Sequence, residues 1–265
     1  MVRPGGLWRE VRVVAETGST NADVADAARA GQAQGLVEVA ESQSAGRGRL
    51  GRTWTAPARS GLFFSVLLRP SDVPASRWGW LPLLAGTAAR TAVESVTGVP
   101  VRLKWPNDLI IPVHESGDDS AYGASRKLGG ILVERVDSPA GPAAVVGVGL
   151  NVSLNAEELP ASHATSLVLE GAKVSDRDPI LRMLLREIER WYSDWTVTEG
   201  DPMASGLASA YAASCATFGR RVRIELPNGT SAEGEAVGLD GDGRLVVRTA
   251  DGDEVFGAGD VVHLR

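Results

Sequence analysis

Cysteine is nearly absent from this chain: Cys215 is the only one in 265 residues. A lone thiol can neither build a disulfide framework nor by itself form a metal site. The chain therefore fits a reducing compartment, and Cys215 reads as a small buried hydrophobe. Histidine is scarce as well. His114, His163 and His263 stand far apart with no carboxylate or cysteine at metal-ligand spacing, so no zinc centre is expected and no residue is assigned as a metal ligand. No apolar run approaches the roughly 20 residues needed to cross a bilayer. The start, MVRPGGLWRE, also lacks the apolar core of a signal peptide. The expectation is a cytoplasmic protein with no membrane partner. Positive charge is not in excess: the net charge of −6 rules out the general basic field that advertises duplex binding, so any positive site must be local. Neither a G-x-S-x-G elbow nor a G-x-x-x-x-G-K-[ST] loop occurs, which argues against an acyl-enzyme and against a P-loop nucleotide site.

With 43% apolar and 23% charged residues, the chain has an ordinary globular composition and enough length for one sizeable core, or for a main domain plus a small one. TGSTNADVADAARAG reads as a helix that Ser19, Thr20 or Asn21 can cap, with Gly31 as its stop. RWGWLPLLAGTAARTAVESVTG reads as a second helix ending at Gly98. VRLKWPNDLII, KLGGILVERV and AAVVGVGLNV read as strands, and PVHESGDDSAYGASR, between the first two, as a polar hairpin end. The clearest helix is DPILRMLLREIERWYSDW, with Asp178 as cap, Pro179 at the first helical position and an apolar stripe from Leu181 to Trp195. Strands and helices mix without a regular βαβ beat, so the expected fold class is α+β with a mixed sheet flanked by helices. From residue 218 the pattern becomes short strands broken at Asn228-Gly229, at Asp240 to Gly243 and at Asp251-Gly252, which reads as a small β-barrel. The expected division is 1–217 and 218–265.

AESQSAGRGRLGRTW, residues 40–54, holds the glycines of G-x-G-x-x-G at Gly46, Gly48 and Gly51. A dinucleotide fingerprint needs a helix to begin on those glycines, because the helix N-terminus holds the pyrophosphate. Here Thr-Trp-Thr-Ala-Pro follows, then another strand-like run. The segment therefore reads as a strand-loop-strand connection. Its interleaved Arg47, Arg49 and Arg52 suit it to wrapping an anion with guanidinium groups and bare backbone N–H.

Four segments stand out: GSTN at 18–21, SQSAGRGRLGRTW at 42–54, KWPND at 104–108 with KLGGILVE at 127–134, and GVGLNV at 147–152. Singly they have plain structural readings: the triplet as a helix cap, Lys104 as a solvated side chain, Gly147 and Gly149 as easing strand packing. Together and in this order they closely resemble biotin protein ligases over nearly the whole chain. The resemblance implies a class II synthetase-like catalytic domain with a small SH3-like barrel. It also implies that the protein adenylates biotin with ATP and passes it to a lysine of a biotin carboxyl carrier protein domain of an acyl-CoA carboxylase. It assigns Ser19, Thr20, Asn21, Gln43, Arg47, Gly48, Arg49, Lys127 and Gly130 to biotin. To the nucleotide it assigns Arg47, Arg52, Trp54, Asn107, Lys127 and Asn151, the last at the adenine. The catalytic group is Lys127, Arg49 and Asp108, with Asp108 orienting a lysine or assisting Mg²⁺. The residue chemistry agrees: joining a carboxylate to an α-phosphate brings two anions together, and the site must supply positive charge as they approach.

Two departures from the family pattern are visible. Leu50 stands where relatives often carry a basic residue, and residues 112–126 are longer than in many relatives. The ligase motifs begin at Gly18, so no helix-turn-helix and no DNA partner are expected, and the protein is a monomer or a homodimer. The rival readings are a lipoate or octanoyl transferase, which would not be expected to carry GRGR followed by KWPND, and an idle binding module, which would not need Lys127 and the whole loop.

Overall fold

The computed structural model describes residues 2–113 and 125–264. A seven-stranded sheet runs in the order β1-β2-β3-β7-β6-β5-β4. Its strands are β1 (Glu10–Val14), β2 (Leu36–Ala40), β3 (Gly61–Leu68), β4 (Arg102–Lys104), β5 (Asp108–Pro112), β6 (Ser125–Val136) and β7 (Ala143–Asn151). β1 lies parallel to β2 and every other pair is antiparallel, so the sheet is mixed as expected. All of β3, GLFFSVLL, is buried, because helices cover both faces of the sheet. On one face α1 (Thr20–Arg29) sets Val24, Ala25 and Ala28 against Leu36, Leu67, Val136, Ala143 and Val145. On the other, α2 (Leu81–Thr97) and α3 (Arg177–Val197) bury a larger cluster with the stripe Leu181, Leu184, Leu185, Ile188, Trp191, Tyr192 and Trp195. Gly98 ends α2 in the left-handed conformation, φ 76°, which glycine adopts without a Cβ penalty. A short helix, α4 (Leu207–Ala212), leads to the tail.

The tail is a five-stranded antiparallel sheet, ordered β11-β10-β9-β8-β12. It comprises β8 (Arg221–Glu225), β9 (Ser231–Leu239), β10 (Leu245–Thr249), β11 (Gly252–Phe256) and β12 (Asp260–His263). Its turns fall at the Asn-Gly and Asp-Gly sites, and Asp240 Oδ1 accepts from the backbone N–H of Asp242 and Arg244 at 2.9 and 3.0 Å. The tail is not packed apart from the rest. Val222, Ile224, Leu245, Val247 and Val261 belong to the same hydrophobic cluster as the main sheet. The indole N–H of Trp80 donates to Gly241 O at 3.0 Å, and that of Trp105 to Gly243 O at 3.1 Å.

Three local expectations need correction. VRLKWPNDLII is not one strand but the hairpin β4–β5, in which Lys104 pairs with Asp108 across a turn at Trp105-Pro106-Asn107. The cap of α3 is Asp176, whose carboxylate accepts from Asp178 N at 3.0 Å, so Asp178 sits inside the first turn. Ser19 occupies the N-cap position of α1 without a capping bond from its side chain; Gln43 Oε1 instead accepts from Thr20 N at 2.9 Å. Of the polar segment 112–126, residues 114–124 lie outside the described residues.

Candidate active site

The segment 41–60 connects β2 to β3, with one short 3-10 turn at Arg49–Gly51 and no helix on its glycines. Its last part folds back: Trp54 N donates to Gly46 O at 2.8 Å and Gly48 N to Arg52 O at 2.7 Å. Leu50 takes φ 54°, a left-handed conformation unusual for a branched side chain. The loop closes over a cavity of about 740 Å³, which lies between the inner sheet strands, the β4–β5 turn and β12 of the tail.

One wall is a chain of hydrogen bonds. Gln43 Oε1 holds Thr20 N and Oγ1, and the Thr20 and Ser65 hydroxyls meet at 2.7 Å. Ser65 Oγ donates to Asn21 Oδ1 at 2.6 Å, Asn21 Nδ2 donates to Glu134 Oε2 at 2.8 Å, and Arg47 pairs with Glu134 Oε1. Gly147 faces this chain because a Cβ there would collide with Asn21 Oδ1. The network explains why Thr20 and Asn21 have these residue types: both side chains are almost fully buried and both have hydrogen-bond partners.

The opposite wall carries charge. Lys127 Nζ lies 2.6 Å from Asp108 Oδ1 and 5.9 Å from the centre of the Trp54 ring. Trp54 packs closely against glycine backbone; a Cβ would come to 2.9 Å of its ring at Gly149 and 3.3 Å at Gly130. Arg49 donates to Asn107 Oδ1 at 3.2 Å, and its burial lowers its pKa from the ordinary value. Asn107 in turn donates to Ile131 O at 2.8 Å. Arg52 pairs with Asp260 of β12, so the tail grips the loop directly.

Ser19, Thr20, Asn21, Gln43, Arg47, Gly48, Arg49, Arg52, Trp54, Asn107, Asp108, Lys127 and Gly130 all line this one cavity. Asn151 does not. It is buried behind the wall, with Nδ2 donating to Thr165 O at 2.9 Å and Oδ1 without a partner among the described residues. Several lining residues were given no site role from sequence: Glu225, Asp260, Lys104, which read as a solvated side chain, and His163, which is brought in when His163 O accepts from Lys127 N at 2.6 Å. Glu134, the hub between Asn21 and Arg47, had a readable signal: it follows Gly130 and Leu132 at strand period two. His263 lines the cavity as well; burial, with Lys104 and Arg220 nearby, pushes its pKa down to about 3, so it is neutral at physiological pH. No group of three or more His, Cys, Asp or Glu that could hold a metal occurs among the described residues. Among them, too, no helix is long and apolar enough to cross a membrane.

A mixed sheet with a glycine- and arginine-bearing loop over a polar, cation-lined cavity defines a class of proteins. Residues 14–151 match the biotin/lipoate A/B protein ligase family, and residues 217–264 match the biotin protein ligase C-terminal domain. The chain belongs to the biotin protein ligase family. It is 44% identical to the biotin–[acetyl-CoA-carboxylase] ligase of Mycobacterium tuberculosis, over 100% of this chain and 93% of that one. It is 31% identical to the bifunctional ligase/repressor BirA of Bacillus subtilis, over 83% of this chain and 63% of the relative. The structure of the Aquifex aeolicus biotin protein ligase in complex with biotin and ATP matches with a TM-score of 0.77 and 26% identity, over 97% of this chain and 100% of that one.

Proposed function

We infer that the protein activates biotin with ATP to biotinyl-5′-AMP and transfers the biotin to a lysine of a biotin carboxyl carrier protein domain of an acyl-CoA carboxylase. The carrying observation is that the loop arginines, Lys127 and the polar residues Thr20, Asn21 and Gln43, scattered over more than a hundred residues, line one cavity. In the first half-reaction a biotin carboxylate oxygen attacks the α-phosphorus and pyrophosphate leaves. In the second, the carrier amine attacks the acyl carbon and AMP leaves.

Biotin is assigned to the wall of Ser19, Thr20, Asn21 and Gln43, with Gly130 against it and Arg47, Gly48 and Arg49 closing over it. Its ring is a neutral urea that needs fixed donors and acceptors, and this wall holds both kinds in place. Lys127 bridges the carboxylate and the α-phosphate. Its contact with Asp108 supports Asp108 as the residue that orients this ammonium. The nucleotide is assigned to Arg47, Arg52, Trp54, Asn107 and Lys127. Asn151 is assigned to the adenine by the family resemblance; its Oδ1 has no partner among the described residues but lies behind the cavity wall, so contact with the base requires that wall to move. Mg²⁺ fits this site only as a companion of the nucleotide, since the carboxylates beside the phosphates are few and already paired; it would neutralise phosphate charge. Residues 1–217 form the catalytic unit of this proposal and 218–265 the small one.

The test is pyrophosphate release from ATP with biotin present, in the native protein and in Lys127→Ala. Release by the native protein and a loss on the order of a hundredfold or more in a folded variant are expected, as for removal of one charge-assisted contact to a transition state. Near-native release by the variant removes Lys127 from the mechanism.

A further inference from the structure

β7 pairs with β6 only as far as Leu150 opposite Gly129, and it ends at Asn151. The start of β6, with Arg126 and Lys127, therefore runs past this neighbour. On the other side β5 pairs Ile110 with Lys127, but the register shifts between Leu109 and Ile110, so that contact is irregular. Residues 163–165, which lie outside the named strands, take the place that β7 leaves: Lys127 N donates to His163 O at 2.6 Å, and Thr165 N donates to Lys127 O at 2.9 Å. The backbone of Lys127 is thus held by a loop segment.

One carboxylate ties that segment down. Glu170 accepts from Arg126 Nε and Nη2, one bond to each of its oxygens and both at 2.8 Å, and it also accepts from the Thr165 hydroxyl. Its side chain is 10% exposed, so water competes little, and the two-point fork fixes angle as well as distance. Arg126 directly precedes Lys127, and the carbonyl of Thr165 accepts from Asn151 Nδ2 at 2.9 Å. Glu170 therefore joins the start of β6 to the end of β7, where Lys127 and Asn151 stand. Leu167 already anchors the segment in the core, and a largely buried ion pair adds little stability over an apolar contact. What the pair adds is a fixed geometry.

We propose that Glu170 is a positioning residue for Lys127: through its fork with Arg126 and its bond to Thr165 it sets the start of β6, and so the direction in which the Lys127 ammonium enters the cavity. This rests on the ligase reading above, in which that ammonium meets the carboxylate and the α-phosphate. Glu170 does not line the cavity, so it acts through its neighbours and touches no substrate. Misplacing a reacting group by about 1 Å costs on the order of a hundredfold in rate. The contacts that bind biotin and ATP from the other walls stay in place.

The experiment compares the native protein with Glu170→Gln, Arg126→Met and the double variant. Glu170→Gln should lower kcat for pyrophosphate release on the order of tenfold to a hundredfold, with the KM values for biotin and ATP within about threefold of native. The double variant should lose no more than the worse single one, because both residues act through one pair. A native kcat, KM values that rise as much as kcat falls, or additive losses overturn the assignment. Hydrogen exchange tests the positioning without turnover. In Glu170→Gln the amides of Lys127 and Thr165 should exchange on the order of tenfold faster, while those of Leu132 to Val136 in the β6–β7 ladder keep their native protection. Unchanged exchange at Lys127 and Thr165, or a loss of protection spread along the ladder, also overturns it. If Glu170→Gln does not fold, Arg126→Lys, which keeps the charge and loses the fork, takes its place in both measurements. If the native protein releases no pyrophosphate with biotin and ATP, the ligase reading fails, and the exchange result still decides whether Glu170 sets the start of β6.

Discussion

Asn21→Asp changes one atom type at the centre of the wall proposed for biotin, and its consequence can be worked out from two distances. Asn21 Oδ1 accepts from Ser65 at 2.6 Å, a bond that aspartate retains, whereas Asn21 Nδ2 donates to Glu134 Oε2 at 2.8 Å. The substitution sets two carboxylates face to face at that second contact. Full ionisation of both would cost roughly 6 kcal/mol at an effective dielectric constant of about 20, so the pair instead keeps a proton and one pKa rises by a few units. That corresponds to a stability loss on the order of 2–4 kcal/mol at pH 8. The sign is fixed: a carboxyl whose folded-state pKa is raised is harmless at low pH and destabilises progressively as pH climbs through the raised value. Glu134 also holds Arg47, so the loop should loosen and biotin affinity fall in parallel. Denaturant unfolding of the native protein and the variant from pH 5.5 to pH 8, with biotin titrations at both ends, measures this. A stability difference that is the same at both pH values, or a variant that binds biotin as the native protein does, refutes the argument that Asn21 acts through Glu134.

Glu38, buried in β2, has its pKa raised to about 7 by burial first and then by the neighbouring Asp23 carboxyl. The native protein should therefore lose on the order of 2–3 kcal/mol as pH rises through 7, and Glu38→Gln should flatten that slope in denaturant titrations; an unchanged slope contradicts it. Arg49→Gly should still form biotinyl-5′-AMP but release it, because this guanidinium joins the loop to the β4–β5 turn at Asn107 while Lys127 stays on its strand. The freed anhydride should label an added bystander protein with biotin, and no labelling despite normal pyrophosphate release counts against the clamp. Amides of residues 44–53 should gain protection from hydrogen exchange when biotin binds. The segment buries little of its own, so ligand contacts must offset its ordering entropy; equal exchange with and without biotin argues otherwise.

Local chemistry is what could be read along the chain. The α3 stripe, the Gly98 stop, the Asn-Gly and Asp-Gly turns and the strand-loop-strand setting of GRGR each follow from neighbours within a few residues, and the structure shows all of them. The lysine, arginine and glycine motifs were legible because each is a short run whose residue types suit anion binding, although the cavity gathers them from distant parts of the chain. KWPND was misread as strand interior because apolar flanks look alike in one strand or in two halves of a hairpin; only pairing with β6 decides between them. The cap of α3 moved to Asp176 because two aspartates two residues apart offer the same local signal.

What pairs with what across the fold was decided by packing. Asn151 and Trp54 are both polar-tipped residues at the ends of motifs, yet one lies behind the cavity wall and the other in it, because Trp54 arrives on the loop and packs on Gly130 and Gly149 whereas Asn151 ends β7 and bonds to Thr165. Arg52 meets Asp260, 208 residues away, and Glu134 joins Asn21 to Arg47, because the tail sheet and the main sheet bury one continuous apolar cluster. Lys104 looked like a solvated side chain; the docking of β12 left its ammonium withdrawn from water without a partner. The sequence by itself determined the residue types, the local elements and the chemistry they suit. Tertiary structure alone decided which charges are neutralised inside the protein and which are left for a ligand, since charge pairing depends on distances through space that no local pattern encodes.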